Sequence, residues 1–221
     1  MESMVTKYCQ KVLKINKLYF FFLIVVLNIC MFVINNRLIL TKEVYYNSYI
    51  EQLSIERIDN VVEEGRKWHM ISIFFIPLLL MVKVSFTSSC LFIGLLFKGF
   101  RSAFMDVFNI ALKAELVFML GNIIRITVLL GFKEIEDFGD LNYYPLSLLS
   151  ITGTKDIYPW LVYSLQSFNF FELAYWLLLA KGLTINFKKD YSAMLMLVIS
   201  TYVVGFVLWI LTVMLLLMNI M

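Results

Sequence analysis

Long apolar runs separated by short charged segments set the organisation of this chain. Leu18 to Ile34 is apolar apart from Asn28 and Cys30, and the only charge between Met70 and Phe97 is Lys83. Comparable runs follow at 103–131, 159–181 and 191–218. A helix needs about 17 to 25 mainly apolar residues to cross the hydrocarbon core of a bilayer, and every run meets that length. The pattern therefore predicts an all-α integral membrane protein with five transmembrane helices, over 18–34, 70–97, 103–131, 159–181 and 191–218.

The intervening segments carry patterns of their own. Residues 1–17 form a basic N-terminus with Lys7, Lys11, Lys14 and Lys17; no small-x-small cleavage site follows the first run, so it reads as an uncleaved anchor. Within 35–69, Ile50, Leu53, Ile58, Val61 and Val62 recur three and four apart. That spacing predicts an external amphipathic helix, lying on the bundle or the headgroups or else binding a partner, ahead of an interfacial Trp68 and His69. The second run would reach roughly 42 Å as a helix, which predicts a tilt, or a kink at Pro77. Only Lys98-Gly99-Phe100-Arg101 joins it to the third, so the two must be antiparallel neighbours. Leu141 to Ile151 is too short to span and predicts an interfacial or re-entrant helix, while Pro159 suits the first position of the fourth span. Ser85, Ser88 and Ser89 on the second span, and Thr201 and Gly205 on the fifth, offer places for close backbone approach.

Composition narrows the class. Of 221 residues, 61% are hydrophobic and 16% charged, against roughly 45–50% and about 25% in soluble domains. An ordinary soluble domain is excluded. Positive charge fixes an expected orientation: the N-terminus, the 98–101 turn and the 182–190 loop with Lys181 are basic, whereas the two long loops carry seven Lys or Arg amid eleven acids. This predicts the N-terminus inside and the C-terminus outside. Net charge is only +3 and no basic patch is interleaved with aromatics, so nucleic acid is not an expected partner. Cys9, Cys30 and Cys90 lack metal spacing, His69 lacks a second ligand at helical spacing, and no metalloprotease, nucleophile-elbow or phosphate-loop pattern occurs. No cofactor, metal or catalytic set is predicted, and the expectation is a protein without enzymatic activity.

The segment around which the rest should pack is Ser102 to Phe132, because it carries Asp106, Lys113, Glu115 and Arg125. A charge at the bilayer centre costs about 2.5 to 3.5 kcal/mol, so such residues face partners or water. Counting depth along each helix puts Lys113 roughly 16 Å and Glu172 roughly 13 Å from the inner ends, with Glu115 at roughly 19 Å and Lys83 at roughly 21 Å. Two pairs are expected, Lys113 with Glu172 and Lys83 with Glu115. Arg125 is expected to snorkel outward towards Glu134 or Glu136. Lys83, Lys113, Glu115, Glu172, Arg125 and Asp106 together form the candidate intramembrane charge network, either structural or lining a path.

From Phe74 onwards the layout resembles the Yip family, the Ypt-interacting proteins and their bacterial relatives. The resemblance rests on Phe97-Lys98-Gly99-Phe100-Arg101-Ser102-Ala103-Phe104 after the second span, on Ile110-Ala111-Leu112-Lys113-Ala114 in the third, and on the stretch from Ser167 to Leu183 with its Phe168-Asn169-Phe170, leucine run and Gly182-Leu183. Relatives often continue the third-span motif into a proline; this chain has Glu115 to Leu120 there. The resemblance implies a four-helix Yip-like membrane domain over 70–221, five spans and a cytosolic N-terminus. Eukaryotic members carry a longer cytosolic region and associate with Rab-type GTPases; with seventeen residues before the first span, a bacterial-type relative in the cytoplasmic membrane is implied instead. Some such relatives resemble accessory partners of ABC exporters in envelope or peptide-toxin defence. The expected function is a scaffold or accessory subunit bound to a membrane-protein partner or to copies of itself within the lipid bilayer. The alternative is a small transporter or channel using the charge network.

Overall fold

The computed structural model describes residues 15–132, 135–152 and 157–220. Every regular element among them is helical: α1 Lys17–Ile34, α2 Lys42–Tyr49, α3 Ile55–Phe97, α4 Phe104–Ala114, α5 Leu116–Gly131, α6 Leu148–Thr152, α7 Pro159–Ser167, α8 Phe170–Phe187, α9 Tyr191–Val198 and α10 Val204–Ile220. Wider π-helical turns continue α1 over Asn35–Ile39 and join α9 to α10 over Ile199–Val203. Among the described residues, four helical stretches are long and apolar enough to cross a membrane, namely Lys17–Ile39, Ile55–Phe97, Phe104–Gly131 and Tyr191–Asn219. An all-α membrane architecture follows.

Three expectations need correction. The external amphipathic helix does not stand apart from the second span. Residues 55–69 run without interruption into the apolar run, giving the 43-residue helix α3, which continues through Pro77. At 1.5 Å per residue it extends roughly 65 Å, about twice the hydrocarbon thickness. The interfacial helix expected at 141–151 is two fragments, a 3₁₀ turn Asp140–Asn142 and the single-turn α6. The fourth run is not one helix either. It breaks at Phe168 and Asn169 between α7 and α8, where the Asn169 amide donates to the carbonyls of Gln166 (3.0 Å) and Ser167 (3.2 Å). Asparagine competes with the helical ladder in this way, and an apolar run does not prevent it. Pro159 does open α7.

The chain forms two compact units. The first comprises described residues 15–24, 80–118 and 170–220. Its core holds Val84, Leu91 and Leu95 from α3, Ile110, Ala111 and Leu112 from α4, Tyr175, Leu179 and Leu183 from α8, and Leu197 and Val198 from α9, all essentially without exposure. Small residues set the helix spacing. A Cβ on Gly94 would run into the Thr201 side chain, and one on Gly205 would lie 2.8 Å from Cys90 Sγ. Thr201 and Gly205 thus serve as the close-packing notch read from the sequence, and Ser88 is buried as well.

The second unit comprises described residues 25–79, 119–132, 135–152 and 157–169. Here Val44 of α2 and Ile58 and Val62 of α3 are buried. Phe138 sits edge-on between Tyr45 and Tyr49, and its backbone N–H donates to Ser48 Oγ at 3.0 Å. Leu148 N–H donates to the Phe168 carbonyl at 3.0 Å, tying α6 to the break after α7.

Candidate functional site

The first unit contains a cluster of polar side chains inside apolar helices. Its origin is local: helix formation pauses at Glu115, where Phe118 N–H bonds back three residues to the Glu115 carbonyl at 3.0 Å. Glu115 is 2% exposed. Lys83 of α3 donates to Glu115 Oε2 at 2.8 Å, so this predicted pair is formed. The ammonium also lies 3.6 Å from the centroid of the Phe118 ring and 5.8 Å from that of Tyr175. A ring face attracts a cation through its quadrupole, adding to the carboxylate's hold on the ammonium.

Glu172, in the first turn of α8, is the second buried carboxylate. Its Oε1 accepts from Trp176 Nε1 and from Tyr202 Oη, both at 2.8 Å. Trp176 lies one helical turn on, the spacing at which neighbours on one helix face meet. Tyr202 arrives from the π-helical turn before α10. Between the two carboxylates stands Tyr175, fully buried, its hydroxyl 3.5 Å from Thr87 Oγ1 and its ring 5.5 Å from that of Tyr202. Lys83, Glu115, Tyr175, Tyr202 and Glu172 therefore form a file of polar groups across one apolar core.

The predicted Lys113–Glu172 pair is not made. The Lys113 ammonium instead donates to the Ile15 carbonyl at 3.1 Å, 5.9 Å from the Phe20 ring centroid. Ile15 precedes the first turn of α1, so its carbonyl is outside the helical ladder and available. Asp106 takes no part in the cluster. It is exposed in the first turn of α4, where a carboxylate offsets the positive helix end. Arg125 belongs to the second unit and does not reach towards Glu136. Its Nε donates to the Tyr143 carbonyl at 3.0 Å and its Nη2 to the Leu141 carbonyl at 2.7 Å, holding the irregular 140–146 loop. Glu134, the other expected partner, lies outside the described residues, as do Lys7, Lys11 and Lys14.

Sequence reading missed Thr87, Tyr175, Trp176 and Tyr202. A signal existed for Trp176, four residues after Glu172 with a ring N–H to donate. Tyr202 depends on a contact between distant helices and left no trace in local pattern. Among the described residues, no group of three or more His, Cys, Asp or Glu is placed to hold a metal ion. Compared with known proteins, the chain matches no family model, no curated protein and no solved structure.

Proposed function

We propose that this is a non-enzymatic, multi-pass membrane protein acting as a scaffold or accessory subunit of another membrane complex. One observation carries the reading. Lys83 lies roughly 21 Å from the end of α3 by helical rise, yet its side chain is 44% exposed while its partner Glu115 is 3% exposed. A half-exposed ammonium at that depth calls for a neighbour other than lipid tails. The surrounding surface is suited to helix contact, since Met81 and Val82 are both more than half exposed. The Yip-like motifs around Gly99 and Gly182 support a bacterial-type relative, for which an ABC exporter or an envelope-stress or toxin-defence system is the expected kind of partner. In this reading the broken α7–α8 segment supplies the fifth crossing, the N-terminus is inside, the C-terminus is outside, and the membrane is the bacterial cytoplasmic one.

Photo-crosslinkers at positions 81 and 82 of the full chain, activated in its own membranes, test this. A discrete adduct with one other membrane protein, or with a second copy, is expected. Adducts with lipid alone would overturn the reading. The polar file from Lys83 to Glu172 favours a second reading, a small transporter or channel. That reading requires water at cysteines placed at 83, 113 and 172, and its failure would show as no thiol labelling from either side of the membrane.

A further inference from the structure

The second unit contains a cavity of about 760 Å³, within the range of small-molecule sites, roughly 300–1,000 Å³. Four basic side chains line it, Arg37 from the turn after α1, Lys42 from α2, and Arg66 and His69 from α3. No carboxylate does. The Arg37, Lys42 and Arg66 side chains are exposed and make no hydrogen bond or ion pair with the described residues. Three cations lining one cavity with no carboxylate in the lining repel one another, and an anion between them removes that repulsion.

The rest of the lining says what kind of anion. On the α1 side the wall runs from Phe32 and Val33 to Arg37, and on α3 from Ile73 and Met70 to His69 and Arg66. Both walls thus pass from an apolar stretch to a cation, Arg37 on one and Arg66 on the other, in the direction leaving the apolar run of their helix, with Leu40 and Val62 beyond the cations. The stripe Arg66, His69, Ile73 follows the spacing of one helix face. His69 is set against the Phe32 ring, centroids 6.1 Å apart, which ties the walls together where the change occurs. Tyr45 closes the polar end against Gly65, where a Cβ would stand 2.8 Å from its hydroxyl. A small soluble anion needs the cations alone, whereas an amphiphile uses the apolar floor as well. The level also fits, because the change falls beside Trp68, 66% exposed, at the end of the run where headgroups lie. Guanidinium groups match phosphate oxygens through paired N–H donors.

We propose that this cavity binds an anionic phospholipid, its phosphate between Arg37, Lys42 and Arg66 and its acyl chain along Phe32, Met70 and Ile73. The site shares no residue with the Lys83 cluster and does not rest on the reading of that cluster.

The full chain, purified in a neutral detergent, is titrated with dioctanoyl phosphatidylglycerol, with dioctanoyl phosphatidylcholine and with inorganic phosphate, following tryptophan fluorescence. Saturable binding of the phosphatidylglycerol is expected, with a midpoint about tenfold below that of the phosphatidylcholine. Arg37→Gln, Lys42→Gln and Arg66→Gln should each raise that midpoint about tenfold, and Lys67→Gln, exposed but outside the cavity, should leave it unchanged. The neutralised side chains make no bonds that folding needs, so the variants should keep the lipid-free thermal midpoint; should one fail to fold, the other two carry the test. Equal midpoints for the two lipids, or unaltered binding by the three variants, would overturn the proposal. Saturation by inorganic phosphate at the concentration that suffices for the lipid would also overturn it, and would assign the cations to a soluble phosphate.

Discussion

Substituting Lys83 with Met while Glu115 stays in place separates a coupled pair from two unrelated charges. The Glu115 side chain is 3% exposed, so without Lys83 its carboxylate has no route to water. Losing one partner of a buried pair costs about 3 to 5 kcal/mol. The substitution also removes the cation over Phe118, a contact of about 0.5 to 1 kcal/mol for an ammonium this exposed, although methionine keeps part of the packing against the ring. The expected loss for Lys83→Met is about 4 kcal/mol. Glu115→Leu is the milder change. It leaves an ammonium that is 44% exposed on a flexible stem and still beside the Phe118 ring, so the remaining charge is not trapped as the carboxylate would be, for an expected loss of about 1 to 2 kcal/mol. The double variant retains neither charge and should lose no more than about 2 kcal/mol. Reversible unfolding in mixed micelles of rising SDS fraction, followed by tryptophan fluorescence, gives the three free energies. Equal losses for Lys83→Met and the double variant would refute the coupling. A Glu115→Leu loss as large as that of Lys83→Met would refute the claim that the carboxylate is the trapped end.

Further expectations follow from other contacts. Tyr202→Phe removes a hydrogen bond to the Glu172 carboxylate and should cost about 1.5 to 3 kcal/mol in the same unfolding assay; a loss below that of an exposed control such as Thr212→Val would mean that Tyr202 only packs. Gly94→Ala should destabilise by about 1 to 3 kcal/mol through its clash with Thr201, and Thr201→Ala should restore most of the loss in the double variant; no recovery would place the strain elsewhere. Outside the membrane segments, the Tyr46 phenol donates to Asp59 at 2.8 Å, and this hydrogen bond, above all, holds its pKa above the ordinary value. A raised folded-state pKa means a contribution that is present below the unfolded value of about 10 and lost as pH rises through the folded one. Asp59→Asn should move the Tyr46 titration, read as tyrosinate absorbance against a Tyr46→Phe reference, to lower pH; an unmoved titration would show that Asp59 does not hold the proton.

The Lys83–Glu115 pair was legible because helical rise is constant, so counting residues from the short 98–101 turn places two antiparallel positions at one depth. The same count failed for Lys113 and Glu172. Depth says nothing of azimuth, and a backbone carbonyl such as that of Ile15 competes for an ammonium without appearing in any charge pattern. Arg125 repeats the lesson with the carbonyls of Leu141 and Tyr143. The extent of α3 was missed because its amphipathic and apolar parts have different periodicities but one uninterrupted backbone. The break at Asn169 was visible in principle, as an amide in an apolar run, though hydropathy averages it away.

The wide turn Ile199–Val203 has a consequence for how this helix tolerates changes in length. A π-helical turn holds one more residue than the α-helical turn it replaces. Deleting a residue elsewhere in α9 would rotate everything beyond it by about 100°, turning Gly205 away from Cys90. Deleting one within the wide turn would let it close to an ordinary α-turn, with the flanking faces kept in phase. Tyr202 stands in that turn, so its hydroxyl reaches Glu172 by virtue of a residue that the helix itself could spare. Insertions and deletions accepted in this span should therefore collect at 199–203, and the Glu172 contact would be the first thing they alter.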